Sequence, residues 1–222
     1  MSESIKLRPA RAEDAAAIAA IYAPYVAGTA VSFETEPPDA AEMRERIGRL
    51  VAQYPWLVAE RDGAIEGYAY ACEHRARKAY RWSVDVAVYL HASAQRRGIG
   101  RALYGALFAL LRAQRYVNAY AGITLPNAAS VGLHEALGFR PVGVYRRVGY
   151  KSGAWRDVGW WQLELLAPAD PPDEPLPFPQ LAPDFVETVC SRACPHPDPP
   201  PQAGEGTLRL DTCGSKKFSR SP

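Results

Sequence analysis

The stretch Asp85–Leu111, DVAVYLHASAQRRGIGRALYGALFALL, decides how the rest of the chain is read. It opens as an apolar run with Val86, Val88 and Tyr89, passes a short polar linker, and turns at Gln95-Arg96-Arg97-Gly98-Ile99-Gly100 into a segment carrying Leu103, Leu107, Leu110 and Leu111. That order is strand, glycine turn, helix. Glycines let the backbone approach a ligand with no Cβ in the way, and the unpaired N–H groups of the helix start point outward at its positive dipole end. Such a turn suits a pyrophosphate. A Gln or Arg three residues before a Gly-x-Gly occurs by chance in roughly one chain in ten of this length, so the placement between strand and apolar helix carries the reading. The dinucleotide fingerprint Gly-x-Gly-x-x-Gly is absent, which makes coenzyme A the phosphate-bearing cofactor to consider first.

Outward from this stretch, elements of both types alternate. Toward the N-terminus, Ile5 and Leu7 suggest a short strand, and Asp14 starts a helix with Ile18, Ile21, Tyr22 and Tyr25 at three- and four-residue spacing. After the loop VSFETEPPD, Asp39 caps a second helix bearing Met43, Ile47, Leu50 and Val51. A hairpin follows, Trp56 to Glu60 and Ile65 to Cys72, turned by Asp62-Gly63, and a basic loop from His74 to Lys78 leads into the central strand. Toward the C-terminus come a strand from Asn118 to Ile123, a helix from Asn127 to Leu137 ended by Gly138, and strands from Val142 to Val148 and Trp155 to Leu165. Hairpins at both ends with helical crossovers between them imply an α/β (α+β) domain: one mixed, largely antiparallel sheet with helices on both faces.

The chain has 222 residues, 48% of them hydrophobic and 23% charged, enough for one substantial core with a remainder. A net charge of +2 argues against a surface that coats nucleic acid. No run of 18 apolar residues exists and the start, MSESIKLRPARAED, lacks an apolar leader, so no membrane segment and a cytoplasmic location are expected. The composition shifts at about Ala167. Residues 1–166 read as the folded domain, and residues 167–222, which hold most of the 20 prolines, read as a disordered tail. The four cysteines form no disulfide framework, and Cys190, Cys194, His196 and Cys213 match no common zinc spacing, so no metal is expected.

The order of elements and the segments IYAPYV, VSFETEPP, AYRWSVDVAVYL, QRRGIGRALY, LPNAASVGLHEALGF and GYKSGAWRDVGWWQ together resemble the GCN5-related N-acetyltransferases (GNAT), in particular the phosphinothricin N-acetyltransferase family. They cover nearly all of residues 5–165 in order, which is more specific than any one motif. The resemblance implies a GNAT fold with acetyl-CoA bound in a gap between splayed central strands, its pantetheine arm on Ala87, Val88 and Tyr89 and its pyrophosphate on Gln95, Arg96, Arg97, Gly98, Ile99 and Gly100. It assigns Asn127 and Ser130 to the coenzyme arm, although Asn127 also reads as the N-cap of its helix.

Transfer to an amine needs a proton acceptor for the nucleophile and a donor for the departing thiolate. The family positions for these match Asp85 and His134. Asp85 stands where the family carries Glu, which withdraws the carboxylate by roughly 1.5 Å. For the substrate, a small-molecule amine, the resemblance points to the α-amino group of a small amino acid with a tetrahedral phosphinyl, sulfone or sulfoximine side chain, with Phe33 and Tyr80 bordering the pocket and Arg75 or Arg77 able to clamp a carboxylate. Glu34 departs from the basic residue of the phosphinothricin-specialised members. A homodimer is also implied. Two other readings stay open at this point: a protein N-terminal acetyltransferase, and a non-catalytic acyl-CoA sensor.

Overall fold

The computed structural model describes residues 5–193. Seven strands, β1 (Lys6–Pro9), β2 (Trp56–Arg61), β3 (Ala64–Glu73), β4 (Ser83–Leu90), β5 (Asn118–Leu125), β6 (Arg140–Lys151) and β7 (Ala154–Glu164), form one sheet in the order β1-β2-β3-β4-β5-β7-β6. Every neighbouring pair is antiparallel except β4 and β5, which run parallel. The parallel pair is joined through α3 (Ile99–Ala113), since parallel neighbours need a crossover rather than a hairpin.

Strand alternation sorts the core into two layers. Val84 and Val86 of β4 face α3, where Leu103, Leu107, Leu110 and Leu111 are fully buried in one cluster with Leu57, Ala69 and Ile123. Tyr68 and Tyr89 face the other side and pack with α1 (Ala15–Gly28) and α2 (Ala40–Val51) through Ile18, Tyr22, Met43 and Ile47. Helices therefore cover both faces. The predicted caps hold: Asp39 accepts from Glu42 N at 2.8 Å, and Asp62 and Gly63 both take positive φ (50° and 77°) at the tight β2–β3 turn. Gly138 lies at φ 93° just after α4 (Ala128–Ala136).

The expected disordered tail is corrected over its first part. Proline-rich composition argued against burial, yet residues beyond 167 pack on the domain through a few well-placed apolar side chains. The Leu176 amide donates to Gln114 O at 2.9 Å and the Phe178 amide to Gln53 O at 3.1 Å. The fully buried Gln114 side chain bridges the same two segments, donating to Gln53 O and Leu176 O. A fifth helix, α5 (Pro183–Arg192), then lays Val186 and Cys190 into the α3 layer of the core. Prolines at loop positions cost no ladder hydrogen bond, and Pro183 sits at the first turn of α5, where its missing N–H is harmless. Cys194, His196 and Cys213 lie outside the described residues, within which no group of His, Cys, Asp or Glu could hold a metal ion. Among the same residues no helix is long and apolar enough to cross a membrane.

Candidate active site

The β4–β5 ladder is short. Ser83, Val84 and Asp85 pair with Asn118, Ala119 and Tyr120, and there the pairing stops, although β4 continues to Leu90 and β5 to Leu125. Beyond Asp85, β4 stays paired to β3 (Ala87 with Tyr70, Val88 with Ala69, Tyr89 with Tyr68) while β5 stays paired to β7. The two strands thus separate, and each turns an open edge into the opening between them. A strand edge in such a gap offers N–H and C=O groups to an extended ligand. Ala87, Val88 and Tyr89 line the gap on one side, Gly122, Ile123 and Thr124 on the other, with His134 and Tyr104 at its floor.

At its wider end the gap opens into a cavity of about 550 Å³, lined by Val88 and Leu90, by the turn residues Gln95, Arg96, Gly98, Ile99 and Gly100, and by Asn127 and Ser130. The turn is built by Arg96 and Gly98 at φ 59° and 76°, with Gly98 the N-cap of α3. The two glycines differ. Gly98 needs its left-handed backbone, whereas a Cβ on Gly100 would meet Leu133, Leu90 and Val88 at 3.5–4.0 Å, ordinary contact with the cavity wall. Arg97 points elsewhere and pairs with Glu66 at 3.7 Å. Asn127 caps α4, its side chain accepting from Ser130 N at 3.1 Å, so the cap and the cavity wall are the same residue.

His134 is buried at the foot of α4. Its Nδ1 lies 2.7 Å from the Ser130 carbonyl, which can only accept, so the ring carries its proton there. Nε2 is then the acceptor for the Tyr104 hydroxyl at 3.0 Å. Burial pushes the His134 pKa down, in keeping with this neutral form. Asp85 approaches from the opposite face, since it alternates with Val84 and Val86 on β4. Burial raises its pKa, an effect partly offset by His74, whose Nδ1 lies 2.6 Å from Asp85 Oδ1. On this face the His74 ring stacks on Tyr120 at 4.3 Å and meets Tyr80 and Trp160 edge-on, while Trp160 lies over Gly122 beside the gap. In the sequence His74 carries no mark of this role. It opens a basic loop, and the one available signal is the shortened Asp85, which leaves room for a neighbour.

The remaining expected residues are scattered more widely. Arg75 donates to the His74 carbonyl at 2.7 Å and its guanidinium stands 5.4 Å from the Trp160 ring, so it borders the Asp85 side. Tyr80 borders it too. Arg77 precedes the short turn Lys78–Tyr80 and its side chain has no hydrogen bond or ion pair among the described residues. The Phe33 ring lies against Gly149 of β6, where any Cβ would clash with it. Its loop is tied down by Lys151 Nζ, which donates to the carbonyls of Val26, Ser32 and Glu34. Glu34 is spoken for: Arg46 grips both carboxylate oxygens at 2.8 and 2.9 Å and Tyr22 donates at 2.9 Å, which together hold its pKa down.

Comparison with known proteins agrees with this geometry. A family profile described as an acetyltransferase (GNAT) domain matches residues 7–160. A phosphinothricin N-acetyltransferase of Streptomyces viridochromogenes is 44% identical over 167 residues, covering 75% of this chain and 91% of that protein. An L-methionine sulfoximine/L-methionine sulfone acetyltransferase of Salmonella typhimurium is 35% identical over 171 residues, covering 74% and 97%. Among solved structures, a GNAT superfamily phosphinothricin acetyltransferase from Sinorhizobium meliloti in complex with acetyl-CoA superposes with a TM-score of 0.72 at 34% identity, covering 83% of this chain and 99% of that one.

Proposed function

The chain belongs to the GNAT acetyltransferases, and from that premise we propose that it moves an acetyl group from acetyl-CoA to the α-amino group of a small amino acid or analogue of the phosphinothricin, methionine sulfone or methionine sulfoximine type. The observation that carries this reading is the ladder break after Asp85 and Tyr120, which opens directly onto the Gly98–Gly100 turn. An extended pantetheine arm fits the open strand edges, and the N-terminus of α3 faces the cavity where a pyrophosphate would lie. Ala87, Val88, Tyr89, Asn127 and Ser130 would hold the arm, and Gln95, Arg96, Gly98, Ile99 and Gly100 the phosphates.

The reaction forms a C–N bond and breaks a C–S bond, so a proton must leave the amine and negative charge develops on sulfur. Asp85 is suited to the first need: burial raises its proton affinity, and it sits where the parallel strands part. For the second, His134 in its neutral form has no free N–H. The O–H on the gap floor belongs to Tyr104, whose pKa burial drives up strongly. Such a phenol stays protonated, and because its one proton rests on His134 Nε2, it serves the departing thiolate by turning its O–H from the imidazole to the sulfur as charge develops there. Arg75, beside Trp160, is the group positioned to meet a substrate carboxylate.

A homodimer fits the exposed outer strand. Val142, Val144, Tyr145, Val148 and Tyr150 all stand in solvent on β6, an edge that an isolated domain would leave open to pairing. The deciding experiment is a screen of thiol release from acetyl-CoA with amino acids, their sulfone, sulfoximine and phosphinyl analogues, decarboxylated amines and short peptides. The proposal requires turnover with at least one amino acid analogue well above that with peptides. Preference for peptides would replace it by the protein-acetylating reading, and no thiol release with any amine by the sensor.

A further inference from the structure

We propose that the proton acceptor for the amine is an Asp85–His74 pair, with the His74 imidazole meeting the nucleophile and Asp85 orienting it; this rests on the acetyltransferase reading above. The geometry is that of a dyad. Asp85 Oδ1 holds His74 Nδ1 at 2.6 Å, which leaves Nε2 as the outer nitrogen. Among the described residues Nε2 makes no hydrogen bond, and it is not among the polar atoms sealed from solvent. A carboxylate on Nδ1 fixes the tautomer with its proton there and turns the Nε2 lone pair outward, the form a base needs.

The ring is also locked in place. Tyr120 stacks on one face at 4.3 Å and 18°, and Trp160 and Tyr80 meet it edge-on, each with centroids 6.1 Å away. A base held by three aromatic neighbours and one carboxylate loses little entropy on orientation. The arrangement accounts for the short side chain at position 85. An Asp reaches less far than a Glu, and the imidazole bonded to its carboxylate restores the reach with a rigid group rather than a loosely held water. The proton passes from the substrate ammonium to Nε2 while Nδ1–H stays hydrogen-bonded to the Asp85 carboxylate, which offsets the imidazolium charge. The freed amine lone pair then attacks the thioester carbonyl, the C–S bond breaks, and the nitrogen's remaining excess proton goes to the departing thiolate, giving the amide and the free thiol. The groups that set the pH response around this pair are Asp85 on β4, Cys72 and Glu73 on β3, Arg75 and Tyr80 on the following loop, and Tyr120 on β5.

The test uses the full chain and the best amine from the screen. His74→Phe keeps the stack on Tyr120 and removes both nitrogens, so kcat should fall by about 10² to 10³, with acetyl-CoA affinity by calorimetry and melting temperature nearly unchanged. His74→Ala opens a slot beside Tyr120, and added imidazole should recover at least about tenfold of the lost rate, a response that a merely structural histidine would not give. Because the two groups act as a unit, His74→Phe combined with Asp85→Asn should be no more than about threefold worse than His74→Phe alone. Retention of kcat within threefold in His74→Phe, failure of imidazole to restore His74→Ala, or multiplying effects in the double variant each overturn the dyad and return the role to Asp85 alone. Should His74→Ala fail to fold, the Phe variant and the double variant carry the decision. A wild type without turnover on any amine would instead remove the acetyltransferase reading itself.

Discussion

Tyr104 donates its hydroxyl proton to His134 Nε2 across 3.0 Å, at the floor of the gap between β4 and β5. The bond commits the phenol's one proton to the imidazole in the free protein, so donation to the expected sulfur needs that O–H to rotate away from Nε2. Tyr104→Phe should therefore lower kcat on the order of 10² with unchanged acetyl-CoA affinity. It also leaves Nε2 buried without a partner, at a cost of about 1–3 kcal/mol, to be read by denaturant unfolding. A Tyr104→Phe variant with full turnover would return the donor role to His134 or to solvent.

The turn before α3 separates two effects. Gly98→Ala forces a side chain into φ 76°, which should cost about 1–2 kcal/mol of stability. Gly100→Asp meets only ordinary contacts in the free protein but adds bulk and negative charge to the cavity wall. The second variant should stay folded and lose at least about tenfold in acetyl-CoA affinity; equal binding by calorimetry would remove the phosphate cradle.

Asp85 carries a folded-state pKa above its unfolded value, chiefly through burial. A carboxyl shifted this way weakens the fold when ionised, at neutral pH, and that cost fades as pH falls through the folded value. Asp85→Asn should accordingly keep or raise the melting temperature at pH 7, with the advantage shrinking in acid, while kcat falls by about 10² to 10⁴. A marked loss of melting temperature at pH 7 would show that the His74 hydrogen bond outweighs the burial cost.

Glu34 runs the other way. Arg46, helped by Tyr22, lowers its pKa, so its contribution is present above the unfolded carboxylate value and is lost as pH falls through the folded one. Glu34→Gln should destabilise by about 0.2–1 kcal/mol at pH 7, since the pair is partly exposed, and by progressively less as pH falls through the lowered folded value. Its negative charge is matched by Arg46, so phosphinothricin should not be repelled. Measured KM values for phosphinothricin and methionine sulfone that differ by orders of magnitude only in wild type, and converge in Glu34→Gln, would contradict this.

The segment after Leu166 should be needed for stability. Val186 and Cys190 are buried against α3 and Gln114 bonds to Leu176. Val186→Asp should cost about 3 kcal/mol or more through an unpaired buried charge, and ending the chain at Leu166 should lower the melting temperature by several degrees. An unchanged melting curve for both would mean that α5 contributes no net packing energy.

Local pattern alone specifies much of this protein. Apolar spacing at 2 and 3.6 residues marks the strands and helices, Asp39 and Gly138 mark helix ends, and Asp62-Gly63 marks the hairpin, because each feature depends on neighbours within a few residues. The Gln95–Gly100 turn is enough to expect a phosphate site, whereas the splayed strands are expected only through the resemblance to the GNAT family that the six segments between residues 5 and 165 carry. What a one-dimensional reading has no access to is side-chain contact between distant elements. The partnership of His74 with Asp85 joins the end of β3 to β4 across 11 residues, Tyr104 and His134 meet from two helices, and Arg46 neutralises Glu34 from a third. Composition likewise misleads after Ala167, where proline content suggests disorder while Val186 and Cys190 find a place in the core left open by α3 and β1. Burial of a few residues at the right positions outweighs the average polarity of a segment, and position in space is set by the rest of the fold.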